Sequence, residues 1–463
     1  MRKSRRWAFA LAVLFIFPFV LAGCGDNGDG PETGGETGVE ADFETKTYAD
    51  NRYIRMFGDY PPAITEYNLK IYKELGLTDF CMTNVEPENI AATMALIEEY
   101  GLNVLVGAFE APFEDPEYET IFNRRYKSVD FAQFPSYNGI YIIDEPRTSH
   151  FNYIRDSKVS WYNETYAGRP GSYWYLNLMP SYASSEQLES VYDPVTGRTA
   201  YEVHVDEYVN TVLKAVQGPK NIGLDHYALR DYGGRKTMSD TLLFDLAVVA
   251  AAARDNGADF SNCIQTYTDN GGARLPTSVA EIRFQLFASM VFGARAFEFF
   301  CYSSDARQHF NAMFEGGKPT DLYYYVQEAI AEVQLFENVY CHFNYEGFVT
   351  LNGTNNGAAY ESDAFMYAEK YAMNALNGVK NVTATEDTLI GQLKDDGGDK
   401  GYVVLNYNDP AVYKADKVRL EFDGGIEKVV VYRYGEETKY LISGGVLELP
   451  LSPGEGVFVI PVR

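Results

Sequence analysis

The sequence has little positive charge and few cysteines or histidines. Its 463 residues include 39 Lys and Arg against 65 Asp and Glu, a formal charge of −26 at pH 7, with only 5 Cys and 5 His. A chain of this sign repels phosphate backbones, which disfavours nucleic acid as a partner and fits a neutral substrate. The histidines are scattered and no zinc or nucleotide motif is found, so we predict neither a metal site nor a cofactor.

The few cysteines also argue against a disulfide framework. Cys81, Cys263 and Cys301 lie in predicted strands, where a cysteine is more often a small buried hydrophobe. Cys341 follows them, and spacing alone identifies no bonded pair.

A short hydrophobic run near the N-terminus, residues 7–21, follows four basic residues and indicates a secretory signal. The run ends in Leu21-Ala22-Gly23-Cys24, which resembles the bacterial lipobox. That resemblance implies that residues 1–23 are removed, that Cys24 carries the lipid, and that the protein is anchored to the outer face of a bacterial membrane. The alternative is an ordinary cleaved signal with a chance cysteine. Residues 24–45, rich in Gly, Asp and Glu, predict a disordered tether.

The central part of the chain predicts a (β/α)8 barrel over residues 46–340. Short apolar runs typical of buried parallel strands alternate with helical patterns. The strands are predicted at residues 53–57, 80–85, 104–109, 140–144, 173–178, 222–227, 261–267 and 296–302, and the main helices at 64–75, 87–100, 201–216, 239–255, 276–292 and 322–336.

From residue 341 to 463 helical periodicity stops, and short alternating runs separated by glycine turns predict an antiparallel β-sandwich. Its strands are predicted to include residues 364–368, 400–407, 418–422, 427–434 and 456–462. No residue pattern in this module indicates a catalytic site.

The fourth predicted strand ends in Asp144-Glu145-Pro146, and the C-terminal ends of barrel strands are where catalytic residues are found. Glu145 is the best candidate for a general acid/base, with Asp144 raising its pKa. Because side chains alternate along a strand, we expect only one of the two to face the barrel axis while the other turns toward the helix layer or the rim. The alternative is a structural salt bridge from Glu145 to Arg147 or to another arginine of the barrel.

Glycoside hydrolysis needs a second carboxylate. Asp225, at the end of the sixth strand, is the first choice, the alternative being a structural aspartate beside Arg230. Glu298 lies within the eighth strand and could contact substrate or form a buried pair with Arg295 or Arg283. Four further acids near strand ends are weaker candidates: Glu86, Glu88, Glu110 and Asp269.

Aromatic residues near strand ends predict a sugar-binding wall, because aromatic faces stack on the apolar faces of pyranose rings. Any single one could instead fill the barrel or its helix interface. With Gln265 as a hydrogen-bonding partner, the predicted wall comprises Tyr141, Trp174, Tyr227, Tyr267 and Tyr302.

This layout resembles the clan A glycoside hydrolases, whose acid/base glutamate ends barrel strand four. The run at residues 283–296 is similar to family 42 β-galactosidases, and residues 451–457 are similar to the last hairpin of their appended sandwich domains. The resemblance implies that Glu145 is the acid/base and that Asp144, standing where asparagine is usual, contacts a sugar hydroxyl. The clan's nucleophilic glutamate is missing from the end of strand seven, which reads Ile264-Gln265-Thr266-Tyr267-Thr268-Asp269.

The sequence therefore predicts a surface-anchored glycoside hydrolase acting on an extracellular poly- or oligosaccharide, with Glu145 and Asp225 as the carboxylates. A non-catalytic glycan-binding lipoprotein with a degenerate barrel is the main alternative. A transporter-linked solute-binding lipoprotein is a third, but the all-β module argues against it.

Overall fold

The computed structural model describes residues 38–108, 117–304 and 310–463. The predicted signal, Cys24 and most of the predicted tether lie outside the described residues. Across those three ranges, no helix combines the length and the apolar composition required for a membrane span.

Eight parallel strands form a nearly closed barrel, confirming the predicted fold class. They are β1 Arg55–Gly58, β2 Asp79–Met82, β3 Asn103–Gly107, β4 Tyr137–Asp144, β5 Trp174–Leu178, β6 Asn221–Leu224, β7 Asp259–Gln265 and β8 Ala294–Phe300. Hydrogen bonding runs in the order β1-β8-β7-β6-β5-β4-β3-β2. The sheet curls until Thr78 N, beside β2, donates to Met56 O of β1 at 2.9 Å.

Helices surround the barrel, and several begin at side-chain caps that the sequence supplies. Thr65, Thr199 and Ser278 each accept a hydrogen bond from the backbone N–H three residues later, which satisfies an otherwise unpaired donor. The longer helices are Glu66–Glu74, Pro87–Glu99, Tyr118–Phe122, Ser160–Thr165, Ala200–Thr211, Leu242–Asp255, Val279–Val291 and Asp321–Gln334.

Between β5 and β6 the chain makes a longer excursion that includes the short helix Ser185–Leu188 and the helix Ala200–Thr211. The prediction that a helix would begin near residue 239 is wrong by three residues. That helix starts at Leu242 because the Ser239 side chain is held by His226 instead of capping the first turn.

Buried side chains of the described residues fill the interior of the barrel below its mouth. Near the N-terminal ends of the strands, Arg55 donates to Asn138 O at 2.6 Å and lies 4.1 Å from the centre of the Tyr173 ring. Above this layer the interior contains Phe57, Cys81, Leu105, Tyr141, Tyr175 and Ala296. As predicted, Cys81, Cys263 and Cys301 are buried, and they and Cys341 form no disulfide.

The C-terminal part forms two antiparallel sheets, as predicted. The larger contains, in spatial order, Val39–Glu40, Glu436–Leu441, Lys428–Arg433, Gly456–Val462, Lys400–Asn406, Thr388–Asp395 and Phe343–Leu351. The smaller contains Val379–Ala384, Asp416–Phe422 and Val446–Leu451.

Two predictions about this region are wrong. Residues 364–368 form no strand, and their first two residues belong to the 3₁₀ turn Asp363–Phe365. Phe365 and Ala368 are both buried, and a turn brings residues three apart to the same side, whereas a strand would place them on opposite faces. Val39–Glu40, within the stretch predicted to be disordered, pairs with Tyr440 and Leu441 because the edge of the larger sheet offers unpaired backbone groups.

The barrel and the C-terminal sheets share one continuous hydrophobic core, and a buried ion-pair network crosses their junction. Arg274, after β7, donates to both carboxylate oxygens of Asp409 at 2.9 and 3.0 Å and also contacts Glu281. All three side chains are almost fully buried, so each charge depends on its partners.

We expect Arg274→Ala to lower the free energy of unfolding by about 3–5 kcal/mol, because it leaves Glu281 and Asp409 buried without a counter-charge. Arg155→Ala is the matched control: Arg155 pairs with Asp156 at an exposed site, and its loss should cost under about 1 kcal/mol. Chemical denaturation of both variants measures the difference. Equal losses would show that the junction does not depend on this network.

Candidate active site

A cavity of about 640 Å³ opens at the C-terminal ends of the barrel strands. Its walls come from the segments that follow β1, β2, β4, β5, β6 and β8. The lining residues are Asp59, Tyr60, Pro61, Thr83, Asn84, Asp144, Glu145, Met179, Pro180, Tyr182, Ala183, Gln187, Asp225, Tyr227 and Phe300. Four of them carry carboxyl groups.

Glu145 occupies an unusual backbone position directly after β4. Its φ is +44°, in the left-handed region that non-glycine residues rarely adopt, while its N–H donates to Asn177 O at 3.1 Å. This turn breaks the alternation of the strand, so Asp144 and Glu145 both line the cavity. Neither carboxyl group turns away toward the helix layer, one of the two directions expected for the second acid.

Asp144 is held by a chain of hydrogen bonds from β4 and β5. The Tyr141 hydroxyl donates to Asp144 Oδ1 at 2.7 Å, and Asn177 Nδ2 donates to the Tyr141 oxygen at 2.8 Å. Gly223 on β6 makes room for the Asn177 amide, since a Cβ there would overlap Asn177 Oδ1. Desolvation raises the pKa of Asp144, although these hydrogen bonds offset part of the increase.

Asp225 follows β6 and is the most enclosed carboxyl group in the cavity, with only 8% of its surface exposed. Its N–H donates to Leu178 O at 3.2 Å, and the Tyr227 hydroxyl donates to Oδ2 at 3.1 Å. No partner among the described residues bonds Oδ1. Desolvation, reinforced by the charge of Asp144, raises the pKa of Asp225 to about 8. The alternative partner Arg230 instead lies over the Tyr182 ring.

Glu145 and Asp225 influence one another across this cavity. Both Asp144 and Glu145 reach solvent at the cavity surface, yet protein encloses them on the other sides. Desolvation, followed by the charges of Asp225 and Asp144, raises the pKa of Glu145 well above its usual range. Arg147 Nη1 lies 3.6 Å from Glu189 Oε1. Arg147 therefore pairs with Glu189 and not with Glu145, the partner in the alternative interpretation.

Next to Asp225, His226 points the opposite way and fixes the end of β6 to the helix layer. Its Nδ1 lies 2.6 Å from Asp245 Oδ2, and its Nε2 lies 2.7 Å from Ser239 Oγ. The Tyr182 ring packs edge-on against the imidazole with ring centres 5.1 Å apart. His226 thus supports two walls of the cavity, one carrying Asp225 and one carrying Tyr182.

Sequence reasoning missed Asp59, which follows β1 and lines the cavity. Its N–H donates to Phe299 O at 3.1 Å. Desolvation, followed by the charge of Asp144, raises the pKa of Asp59 to about 7. The sequence did contain an indication of this residue. Asp59 is an acid two residues beyond a predicted strand, and position near a strand end is the criterion that identified Glu145.

Glu298 lies beneath the cavity, buried inside the barrel rather than lining the surface. It accepts hydrogen bonds from Asn177 Nδ2 at 2.5 Å and from the Tyr175 hydroxyl at 3.4 Å. Desolvation and the charges of Asp59, Asp144 and Asp225 raise its pKa well above the usual range. The predicted substrate contact is therefore not available, and Arg283 pairs with Glu332 instead.

Four other predicted contacts with substrate are buried away from the cavity. Trp174 packs against Tyr162, and Tyr302 lies between Tyr72 and Phe314. Tyr267 lies behind Tyr227 and Phe300, with ring centres 5.0 and 5.2 Å away. Gln265 uses its amide to bond the backbone of Leu229 and Arg274. These positions do not contact a ligand in the cavity, because their side chains point into the barrel wall.

The aromatic wall that the cavity does have consists of Tyr60, Tyr182, Tyr227 and Phe300. Only Tyr227 was predicted. Tyr60 and Tyr182 are each 46% exposed and lie on loops, where no periodic pattern indicates the direction of a side chain.

Of the four weaker acidic candidates, the three that the structure describes do not line the cavity. Glu86 precedes the helix Pro87–Glu99 and pairs with Arg125, and Glu88 lies in the first turn of that helix. Asp269 accepts hydrogen bonds from the N–H groups of Gly271 and Ala273, each at 2.8 Å. Glu110 lies outside the described residues. In residues 38–108, 117–304 and 310–463, no group of His, Cys, Asp or Glu side chains is arranged to hold a metal ion.

Comparison with known proteins gives only distant similarities. No family model matches the chain, and no curated protein matches it. Among solved structures, a putative α-galactosidase from Bacteroides fragilis is similar at 10% identity and a TM-score of 0.48, over 89% of this chain and 79% of that one. A putative α-L-fucosidase from Bacteroides thetaiotaomicron is similar at 15% identity and a TM-score of 0.37, over 63% and 98%.

A β-galactosidase from Halorubrum lacusprofundi is similar at 14% identity and a TM-score of 0.36, over 60% of this chain and 58% of that one. This chain therefore spans less than two thirds of that enzyme. At such identities and TM-scores, the similarities do not determine what this chain does.

The raised pKa of Asp225 predicts that its ionisation destabilises the fold. Between pH 4 and 8 the unfolded chain releases a proton from Asp225 that the folded protein retains, so stability falls as pH rises. We expect Asp225→Asn to raise the melting temperature relative to wild type at pH 9 but not at pH 4. Thermal scans at both pH values measure this effect.

Asp396→Asn, at an exposed turn, is the control and should change the melting temperature by the same small amount at both pH values. A pH-independent effect of Asp225→Asn would contradict the raised pKa.

Proposed function

We propose that this protein is a glycoside hydrolase whose catalytic carboxyl groups are Glu145 and Asp225. The observation that carries the proposal is their arrangement: both line one cavity at the mouth of the barrel, and the charge of Asp225 raises the pKa of Glu145. Glycosidic bond cleavage needs one protonated and one ionised carboxyl group on either side of the reacting bond.

The raised pKa of Glu145 suits it to the role of general acid. The shift favours the protonated form, which donates its proton to the glycosidic oxygen as the bond to the sugar breaks. Asp225, once ionised, either attacks the anomeric carbon or takes a proton from the attacking water. Asp144 and Asp59 lie beside the sugar and supply oxygen atoms that accept hydrogen bonds from its hydroxyl groups.

The cavity lining favours an uncharged sugar. Among the described lining residues there are four carboxyl groups and no Lys, Arg or His, so an anionic glycan finds no counter-charge there. Tyr60, Tyr182, Tyr227 and Phe300 supply ring faces for the apolar side of a pyranose. We therefore propose a neutral poly- or oligosaccharide as the substrate.

Export and anchoring at the cell surface form part of the proposal. Their support is the basic N-terminus, the apolar run and the Leu21-Ala22-Gly23-Cys24 sequence, with Cys24 as the lipid-bearing residue. An extracellular position matches a polysaccharide too large to enter the cell.

A second candidate is glycan capture without catalysis. The residues at the C-terminal end of β7 favour this candidate. The Gln265 side chain is hydrogen-bonded to backbone groups and Thr266 is buried. Among the described residues, therefore, that strand end contributes no carboxylate to the cavity. Asp225 with a pKa of about 8 is also mostly protonated at pH 7 in the absence of ligand.

We expect Glu145→Gln to lower the release of reducing ends from a neutral polysaccharide by roughly 10²–10⁴-fold while glycan binding persists, because the amide cannot donate a catalytic proton. Glu186→Gln, at an exposed position on the excursion after β5, is the matched control and should keep wild-type activity. A fully active Glu145→Gln variant would refute the role of Glu145. Binding without turnover in the wild type would support capture.

The pH dependence of kcat/KM is expected to be bell-shaped, with its acid limb near pH 8. Activity rises as Asp225 loses its proton, and it falls once Glu145 has lost the proton that it must donate. Since the two groups interact, the apparent pKa values belong to the pair. Initial rates between pH 5 and 10 measure the profile, and an acid limb near pH 4 would exclude Asp225 as the second carboxylate.

A further inference from the structure

A second cavity, of about 600 Å³, lies beside the first and contains none of its carboxyl groups. Three parts of the chain build it: the excursion after β5, the start of the helix Leu242–Asp255, and the stretch from Met366 to Lys370 in the C-terminal part. The C-terminal part, in which the sequence showed no catalytic feature, thus forms one wall of a cavity on the catalytic side of the barrel.

This wall is fixed to the barrel by specific contacts. Lys370 Nζ lies 2.6 Å from Glu202 Oε1, and the Tyr371 hydroxyl donates to the same carboxylate. Glu202 is itself part of the capping box that begins the helix Ala200–Thr211. Lys370 also lies over the Phe244 ring at 5.5 Å. These contacts hold the C-terminal wall of the cavity in a fixed position against the barrel.

The C-terminal wall presents large apolar side chains to solvent. Met366 is 54% exposed and Tyr367 is 52% exposed, and both line the second cavity. Tyr367 is oriented edge-on to Phe244, with ring centres 6.3 Å apart. Neighbouring exposed apolar side chains in a concave site indicate a binding surface. The face of a tyrosine ring is suited to the apolar face of a sugar.

The two cavities meet at Ala183, which lines both of them. On one side of this methyl group Tyr182 faces the carboxyl groups, and on the other Ser181 and Ser185 face the second cavity. Among the described residues, only this methyl side chain is common to the two linings, so a linear sugar chain that extends past Ala183 reaches the second cavity from the first.

We infer that the second cavity is an accessory subsite for the distal sugars of the same uncharged glycan, with Tyr367 as its stacking platform. The inference rests on the proposed function for the chemical class of the ligand. The charges fit this ligand: Lys370 is neutralised by Glu202, and the other ionisable lining groups, Asp240 and Glu369, are acidic. The subsite predicts that the protein prefers long oligosaccharides to short ones.

The test compares wild type with Tyr367→Ala, using neutral gluco-, galacto- and xylo-oligosaccharides of two to six residues as probes. We expect the wild type to bind the hexasaccharide of one series more tightly than the disaccharide. In Tyr367→Ala this preference should fall by about tenfold, the scale of one aromatic contact of roughly 1.4 kcal/mol. Isothermal titration calorimetry measures both affinities without requiring turnover.

Tyr413→Ala is the matched control, since Tyr413 is an exposed tyrosine of the C-terminal part outside both cavities. It should keep the wild-type preference for length. An unchanged preference in Tyr367→Ala would overturn the inference, as would a wild type that binds no hexasaccharide more tightly than its disaccharide. A length preference that depends on Tyr367 without hydrolysis of any probe would support the subsite while contradicting the proposed hydrolase.

Discussion

Crowding of carboxyl groups at one end of the barrel is the constraint on which the site depends. Asp59, Asp144, Glu145 and Asp225 line the cavity, and Glu298 lies directly beneath it. Desolvation and mutual repulsion raise the pKa values of these groups, so the fold retains protons that free carboxylic acids would release. The hydroxyls of Tyr141 and Tyr227 and the amide of Asn177 offset part of the cost by donating hydrogen bonds.

The surrounding structure holds these groups in place from two directions. Inside the barrel, aromatic and aliphatic side chains fill the space below the cavity, which leaves the mouth as the place for a ligand. Outside it, His226 fixes the end of β6 to the helix layer through Asp245 and Ser239. The C-terminal sheets contribute as well, because they share the barrel core and supply the wall that carries Tyr367.

Much of the fold could be predicted because periodicity is a local property. Buried parallel strands appear as short apolar runs, and their order along the chain implies a barrel once helices separate them. The errors arose where a tertiary contact competed with a local preference. Ser239 bonds His226 instead of capping a helix, and Val39–Glu40 joins a sheet edge although its neighbours have the composition of a tether.

The sequence by itself determined which acids stand at strand ends, and so identified Asp144, Glu145 and Asp225, because the residues that follow a strand are a matter of order along the chain. Only the tertiary structure decided which of these groups face one another. The left-handed turn at Glu145, the contribution of Asp59 and the burial of Trp174 and Tyr302 all depend on how distant strands close around a common axis. Residues far away in sequence determine the direction of a side chain and its desolvation, so neither can be predicted from the local sequence pattern.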